Sequence, residues 1–139
     1  MDHPAESGLL ARKMALAMVA EHLRGGFDVV VPQYLARPAF LHQLEQVAAR
    51  TGSSFHEIVL MDTRDQAIRR FHGRADDPEL AAHHRDAAAM LGPDGGLEGM
   101  YDRLLTLLES RPAARVVQTR AGDVEGTYRA VLDQLDDPR

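Results

Sequence analysis

Two short apolar runs rich in β-branched residues, separated by one amphipathic helical stretch, constrain this chain more than any other feature. Both lie within Asp28–Arg74, DVVVPQYLARPAFLHQLEQVAARTGSSFHEIVLMDTRDQAIRRFHGR. Phe27 to Pro32 presents Val29, Val30 and Val31 without polar alternation, as expected of a parallel strand buried on both faces. Pro32 ends that run, because proline donates nothing to a sheet ladder. Phe55 to Met61, FHEIVLM, has the same character towards its C-terminal end. Between them, Arg37 to Arg50 places Phe40, Leu41, Leu44 and Val47 at helical spacing, and Thr51-Gly52 closes the helix.

The flanking sequence extends this alternation. Residues 9–24, LLARKMALAMVAEHLR, carry Leu9, Leu10, Met14, Ala17, Met18 and Leu23 as a helical stripe that Gly25-Gly26 stops. Asp62 or Thr63 is placed to cap a helix from about Arg64, with Ala67, Ile68 and Phe71 facing in and Arg70 and Arg74 facing out. A further helix is expected over Glu79–Leu91, then a GPDGG turn. Leu97–Ser110 reads as a helix with Met100, Leu104, Leu107 and Leu108 inward. Arg115 to Thr119 reads as a third short strand, and Asp123 opens a last helix to about Leu135. Strands alternating with helices predict an α/β fold with right-handed crossovers and a parallel sheet of about three strands.

At 139 residues the chain is the length of one domain. Its charge, 16 basic against 21 acidic residues, gives −5, which argues against a broad basic surface for duplex nucleic acid. With no cysteine there is neither a disulfide nor a thiolate metal site. No apolar run approaches the ~18 residues of a membrane span, and the start, MDHPAESG, has no charged-then-apolar leader, so a cytoplasmic location is expected. Lys13, the single lysine, sits in a helical pattern with no preceding glycine loop, so it is not a phosphate-loop lysine.

Ligands of open parallel sheets bind beyond the carboxyl ends of the strands, where Gln33, Tyr34 and Arg37 follow the first run. Gln33 offers an amide donor and acceptor, and Arg37 a fork for phosphate or carboxylate. Equally, Arg37 can pair with a surface acid while Gln33 caps the helix that Pro38 opens. Arg70 and Arg74, at i and i+4, repel each other unless an anion such as a polyphosphate bridges them. A solvated basic face tempered by Asp65, Asp76 and Asp77 is the plainer reading of the same spacing. Adjacent His83 and His84 point ~100° apart on a helix and do not form a metal pair. His42 and His72 stand alone, so no metal is expected.

The segments DVVVPQYLARPAF, FHEIVLMDTRDQAIRRFHGRADDP and RVVQTRAGDVEGTYRAVLDQL together resemble the later two-thirds of a bacterial AAA-type ATP-binding domain of the P-loop kinase group, related to adenylate kinase and zeta toxins. The resemblance spans about Leu9 to Leu135. It implies a three-layer P-loop kinase-like parallel sheet, here partial, as one domain with a helical lid over about residues 70–91. It also implies that Gln33 and Arg37 face a small-molecule phosphate acceptor. Arg70, Arg74 and Arg85 would reach ATP from the lid, and the turn at Arg120, Ala121 and Gly122 would pack on the adenine.

Members of that group begin with a strand and G-x-x-x-x-G-K-[ST], which cradles the phosphates and holds Mg²⁺, and continue to an acid-bearing strand. Neither occurs here, so the resemblance implies a chain that begins after both. It should then bind ATP and Mg²⁺ only in an intact relative and be inactive in phosphate transfer as it stands, with no catalytic residue assigned. The alternative is a non-catalytic binding module of the same ancestry, whose exposed sheet edges a second copy covers in a homodimer. A helix-rich enzyme using His72, Asp76 or Asp77 in acid–base roles has no supporting spacing.

Overall fold

The computed structural model describes residues 4–33, 37–74 and 96–136. They fall into two compact units, up to Phe55 and from His56 onward.

The first unit is a helix pair followed and interrupted by extended chain. Helix α1 runs Pro4–Arg24 and helix α2 Pro38–Thr51. The α2 boundaries follow from local chemistry. Pro38 stands in the first turn, where a missing N–H costs nothing, after Arg37 in an extended conformation. At the other end Gly52 takes φ 68°, its N–H bonds back into the last turn, and the Ser53 N–H reaches the Ala48 carbonyl at 2.9 Å. The apolar face anticipated for α2 is the core of this unit: Phe40, Leu41, Leu44 and Val47, joined by Ala48, are buried.

Helix α1 differs from expectation. It packs on α2, and its half-buried residues are Gly8, Arg12, Ala15, Leu16, Val19, Ala20 and Leu23, whereas Leu9, Leu10, Met14 and Met18 are exposed. Apolar side chains encircle this helix, so periodicity alone selects the wrong face. The helix ends as Gly25-Gly26 folds back: Gly26 takes φ 83°, and the Phe27 N–H bonds the His22 carbonyl at 3.1 Å.

That turn overturns the expected strand Phe27–Pro32. The segment forms no strand, and among the described residues no backbone group from Asp28 to Val31 has a main-chain partner. It lies beside α1, and Ala15, Met18, Val19 and His22 with residues 28–32 line an open apolar groove of about 350 Å³.

The second unit holds strands β1 (Ile58–Met61) and β2 (Arg115–Gln118), with helices α3 (Arg64–Arg74), α4 (Gly96–Glu109) and α5 (Val124–Asp136). The strands pair in parallel, Ile58 opposite Arg115 through Met61 opposite Gln118. Parallel neighbours need a long crossover, and α3 and α4, which pack on each other, belong to it. Helix α5 packs on β2. Met61 and Val117 are buried while Leu60 and Val116 are not, so the sheet is only partly covered.

The expected three-strand, three-layer P-loop kinase-like sheet is therefore incorrect. The described residues form five helices and one two-stranded parallel sheet. The physical cause is local: a glycine turn directs the first apolar run against a helix, and proline then removes a donor from it. The helix expected over Glu79–Leu91, with His83, His84, Arg85 and the GPDGG turn, lies outside the described residues.

Candidate functional site

The carboxyl ends of β1 and β2 bring together the most polar chemistry of the second unit. Beyond β1, the Asp62 carboxylate accepts the Thr63 N–H at 2.8 Å, and Thr63 caps α3 by accepting the Gln66 N–H at 3.3 Å. Beyond β2, Thr119 crosses to β1: its N–H and its hydroxyl both donate to the Met61 carbonyl, at 2.7 and 3.2 Å. The Tyr101 hydroxyl on α4 donates to the Asp62 carbonyl at 3.0 Å, tying that helix to the same strand end.

Arg70 is the decisive residue here. Its guanidinium does not project from α3 into solvent as the helical spacing predicts. Instead it turns back to the Asp62 carboxylate, Nη2 to Oδ2 2.8 Å, with side chains 36% and 11% exposed. The two atoms sit at ion-pair distance but off the axis of a hydrogen bond, and neither has another hydrogen-bond partner. Arg70 thus has an internal counter-charge. An incoming phosphate would have to displace a carboxylate already held by Thr63, which costs more than binding a free arginine.

Of the other residues singled out from sequence, Arg120 is exposed just after β2, and Gly122 follows at φ 78°. That turn delivers Asp123 to the start of α5, where its carboxylate accepts the Gly126 N–H at 3.0 Å. The glycine therefore serves a helix cap, a local role that accounts for its conformation. Gln33 and Arg37 belong to the first unit. Gln33 donates its side-chain amide to the adjacent Pro32 carbonyl at 2.9 Å, and Arg37 is exposed at the start of α2 without a side-chain capping bond. Arg74 closes α3, but its side chain, like Arg85, lies outside the described residues.

One tie had no sequence signal. Arg111, in the loop before β2, donates to both carboxylate oxygens of Glu57, at 2.8 and 2.6 Å, with both side chains largely buried. Fifty-four positions separate them, so no helical or strand spacing could suggest the pair. Asp62 was legible only as a cap, since its partner stands eight residues away across the start of a helix.

Among the described residues, no group of three or more His, Asp or Glu side chains is placed to hold a metal ion, and no helix is long and apolar enough to cross a membrane. No family model, no curated protein and no solved structure matches the chain. The kinase-group resemblance rests on the quoted segments alone.

Both units expose large apolar side chains: Val124 and Tyr128 on α5, 81 and 61% exposed, and a series on α1 in the first unit. On α1, Leu10, Met14 and Met18 are 60, 60 and 61% exposed, and they stand at successive i+4 positions. Phe27 and Val30 are exposed beside them in sequence, Val30 at 88%. Such a continuous helical stripe is characteristic of an interaction surface, whereas single exposed leucines are ordinary.

Proposed function

We propose that this protein is a non-catalytic binding module that acts by assembling with a macromolecular partner through the outer face of α1. The observation that carries this reading is the distribution of apolar side chains around α1. One side packs on α2, and the opposite side leaves Leu10, Met14 and Met18 more than half exposed. An apolar stripe on the side of a helix away from its packed neighbour gains stability when something covers it. Covering the exposed part of each of these side chains contributes about 1–2 kcal/mol.

Phosphate transfer is the weaker reading. Of the arginines expected to bind ATP, Arg70 is neutralised by Asp62. The strand whose end would present Gln33 and Arg37 to an acceptor is not formed.

Two measurements test the proposal. Calorimetry of the 139-residue chain with MgATP should show no saturable binding. Size-exclusion chromatography of an extract of the native cells should place the protein in a species heavier than 15.3 kDa. Tight MgATP binding by the chain, or elution of the native protein as a lone 15.3 kDa species, would overturn it.

A further inference from the structure

Among the described residues, α1 packs on α2, with Arg12, Leu16, Val19 and Leu23 half-buried at one helical spacing, and residues 28–32 share a groove with Ala15, Met18, Val19 and His22. At 100° per residue the remaining side centres on Leu10, Met14, Ala17 and Glu21, all exposed. Its charged residues read, from the N-terminus, Glu6, Lys13, Glu21 and Arg24: acid, base, acid, base. All four are exposed, and Glu21 and Arg24 form a loose pair within the helix at 3.7 Å.

That order is complementary to itself only when reversed. We infer that a second copy of this chain covers the outer face of α1, the two α1 helices running antiparallel about a two-fold axis near residues 15–17. This inference rests on the assembly reading above and names its partner.

In such a pair Glu6 of one helix meets Arg24 of the other, and Lys13 meets Glu21. The midpoints of these pairs are residues 15 and 17, about 3 Å apart along the helix at 1.5 Å per residue. Lys, Arg and Glu side chains readily span that offset. Each pair occurs twice by symmetry, as an isologous interface requires. Leu10, Met14 and Ala17 of the two copies interleave between the charges, and Ala17 lets the backbones approach where they cross. A parallel pair would instead set Glu6 on Glu6, Lys13 on Lys13 and Arg24 on Arg24, with the helix dipoles aligned unfavourably. The apolar stripe supplies affinity, and the exposed charges, each worth little alone, select orientation and register.

The absence of cysteine makes the geometry directly readable. Ala17→Cys and Ser7→Cys each place one thiol at an exposed site of α1. Under mild oxidation Ala17→Cys, within a turn of the axis, should give a disulfide-linked species of twice the chain mass. Ser7→Cys, about 25 Å from its copy in an antiparallel pair, should not. Sedimentation of the unmodified chain should show a reversible dimer. Lys13→Glu or Glu21→Lys alone should weaken it by up to about tenfold, and the two together should restore it.

Equal cross-linking by Ser7→Cys would mean a parallel pair and overturn the inference. So would failure of the double charge swap to restore the dimer. A purified chain that stays monomeric at every concentration, while the native protein runs as a heavier species, would overturn self-pairing but leave the assembly reading standing. Saturable MgATP binding would strike the assembly reading itself.

Discussion

Val29–Val31 and Ile58–Met61 are near-identical in chemistry and opposite in fate. Both are short, apolar and rich in β-branched residues, and both follow a helix that a glycine closes. Ile58–Met61 becomes a paired strand, whereas Asp28–Val31 forms none and its main chain is unpaired among the described residues. The difference lies in what stands at each end. Before β1, Glu57 grips Arg111 through both carboxylate oxygens, and its carbonyl accepts the Arg115 N–H at 2.9 Å. After β1, Thr119 closes on the Met61 carbonyl and Asp62 holds Arg70. The earlier run has a glycine turn before it and a proline after it, and neither recruits a second strand. Strand propensity permits pairing, but long-range ties at the ends decide it.

The strongest way to break this contrast is to remove the tie before β1. Glu57→Gln removes the carboxylate that the largely buried Arg111 guanidinium engages, and losing one member of such a pair costs about 3 kcal/mol. The variant should show that decrease in urea unfolding, together with faster amide exchange across β1 and β2. If its stability falls by less than about 1 kcal/mol, the ion pair is not what holds the strands in register.

A smaller effect is expected from the core side of the same strand. Met61 is buried at the sheet, and Met61→Ala deletes packing that cannot be refilled from a two-stranded sheet, costing about 2 kcal/mol. The matching change in the other run, Val30→Ala, should be nearly neutral for the isolated chain. Equal costs at the two sites would erase the comparison.

Most of the secondary structure was legible in the sequence, and the reasons are local. Helix α2 could be placed from Phe40, Leu41, Leu44 and Val47 because one face alone is apolar, and from Thr51-Gly52 because a left-handed residue must follow it. The Asp123 cap and the strand at Arg115–Gln118 were visible in the same way. What failed were the inferences about the inward face of α1, the neighbour of the first apolar run and the outward projection of Arg70. Helix α1 carries apolar residues on all sides, so its stripe did not reveal which side meets α2. Arg70 stood at helical spacing from Arg74, but its partner Asp62 lies outside the helix, so the internal ion pair left no helical spacing to read. The triple valine could show only that it suits a sheet. The choice between a neighbouring strand and a helix surface was made by Gly25-Gly26, whose turn geometry has no bearing on strand propensity.

That turn can be tested directly, with an effect smaller again. Gly26 takes φ 83°, and a Cβ there meets nothing within 4 Å, so Gly26→Ala adds backbone strain without a clash. A non-glycine residue held in this conformation costs about 1 kcal/mol. The variant should lose that much stability and loosen the contact of residues 28–32 with α1, read as faster exchange in the last turn of α1.

The smallest change sharpens the comparison most. Val30 is 88% exposed and its N–H has no main-chain partner among the described residues. Val30→Ser should therefore leave stability within about 0.5 kcal/mol of the parent chain. Its amide, with those of Val29 and Val31, should exchange near the unprotected rate while Leu60 and Met61 stay protected. Strong protection of residues 29–31 in the purified chain would mean that another backbone pairs with them in solution. An exposed apolar run with open hydrogen-bonding groups is well suited to adding a strand from another molecule. The contrast between the two runs would then belong to the single chain, and the assembled protein would treat them alike.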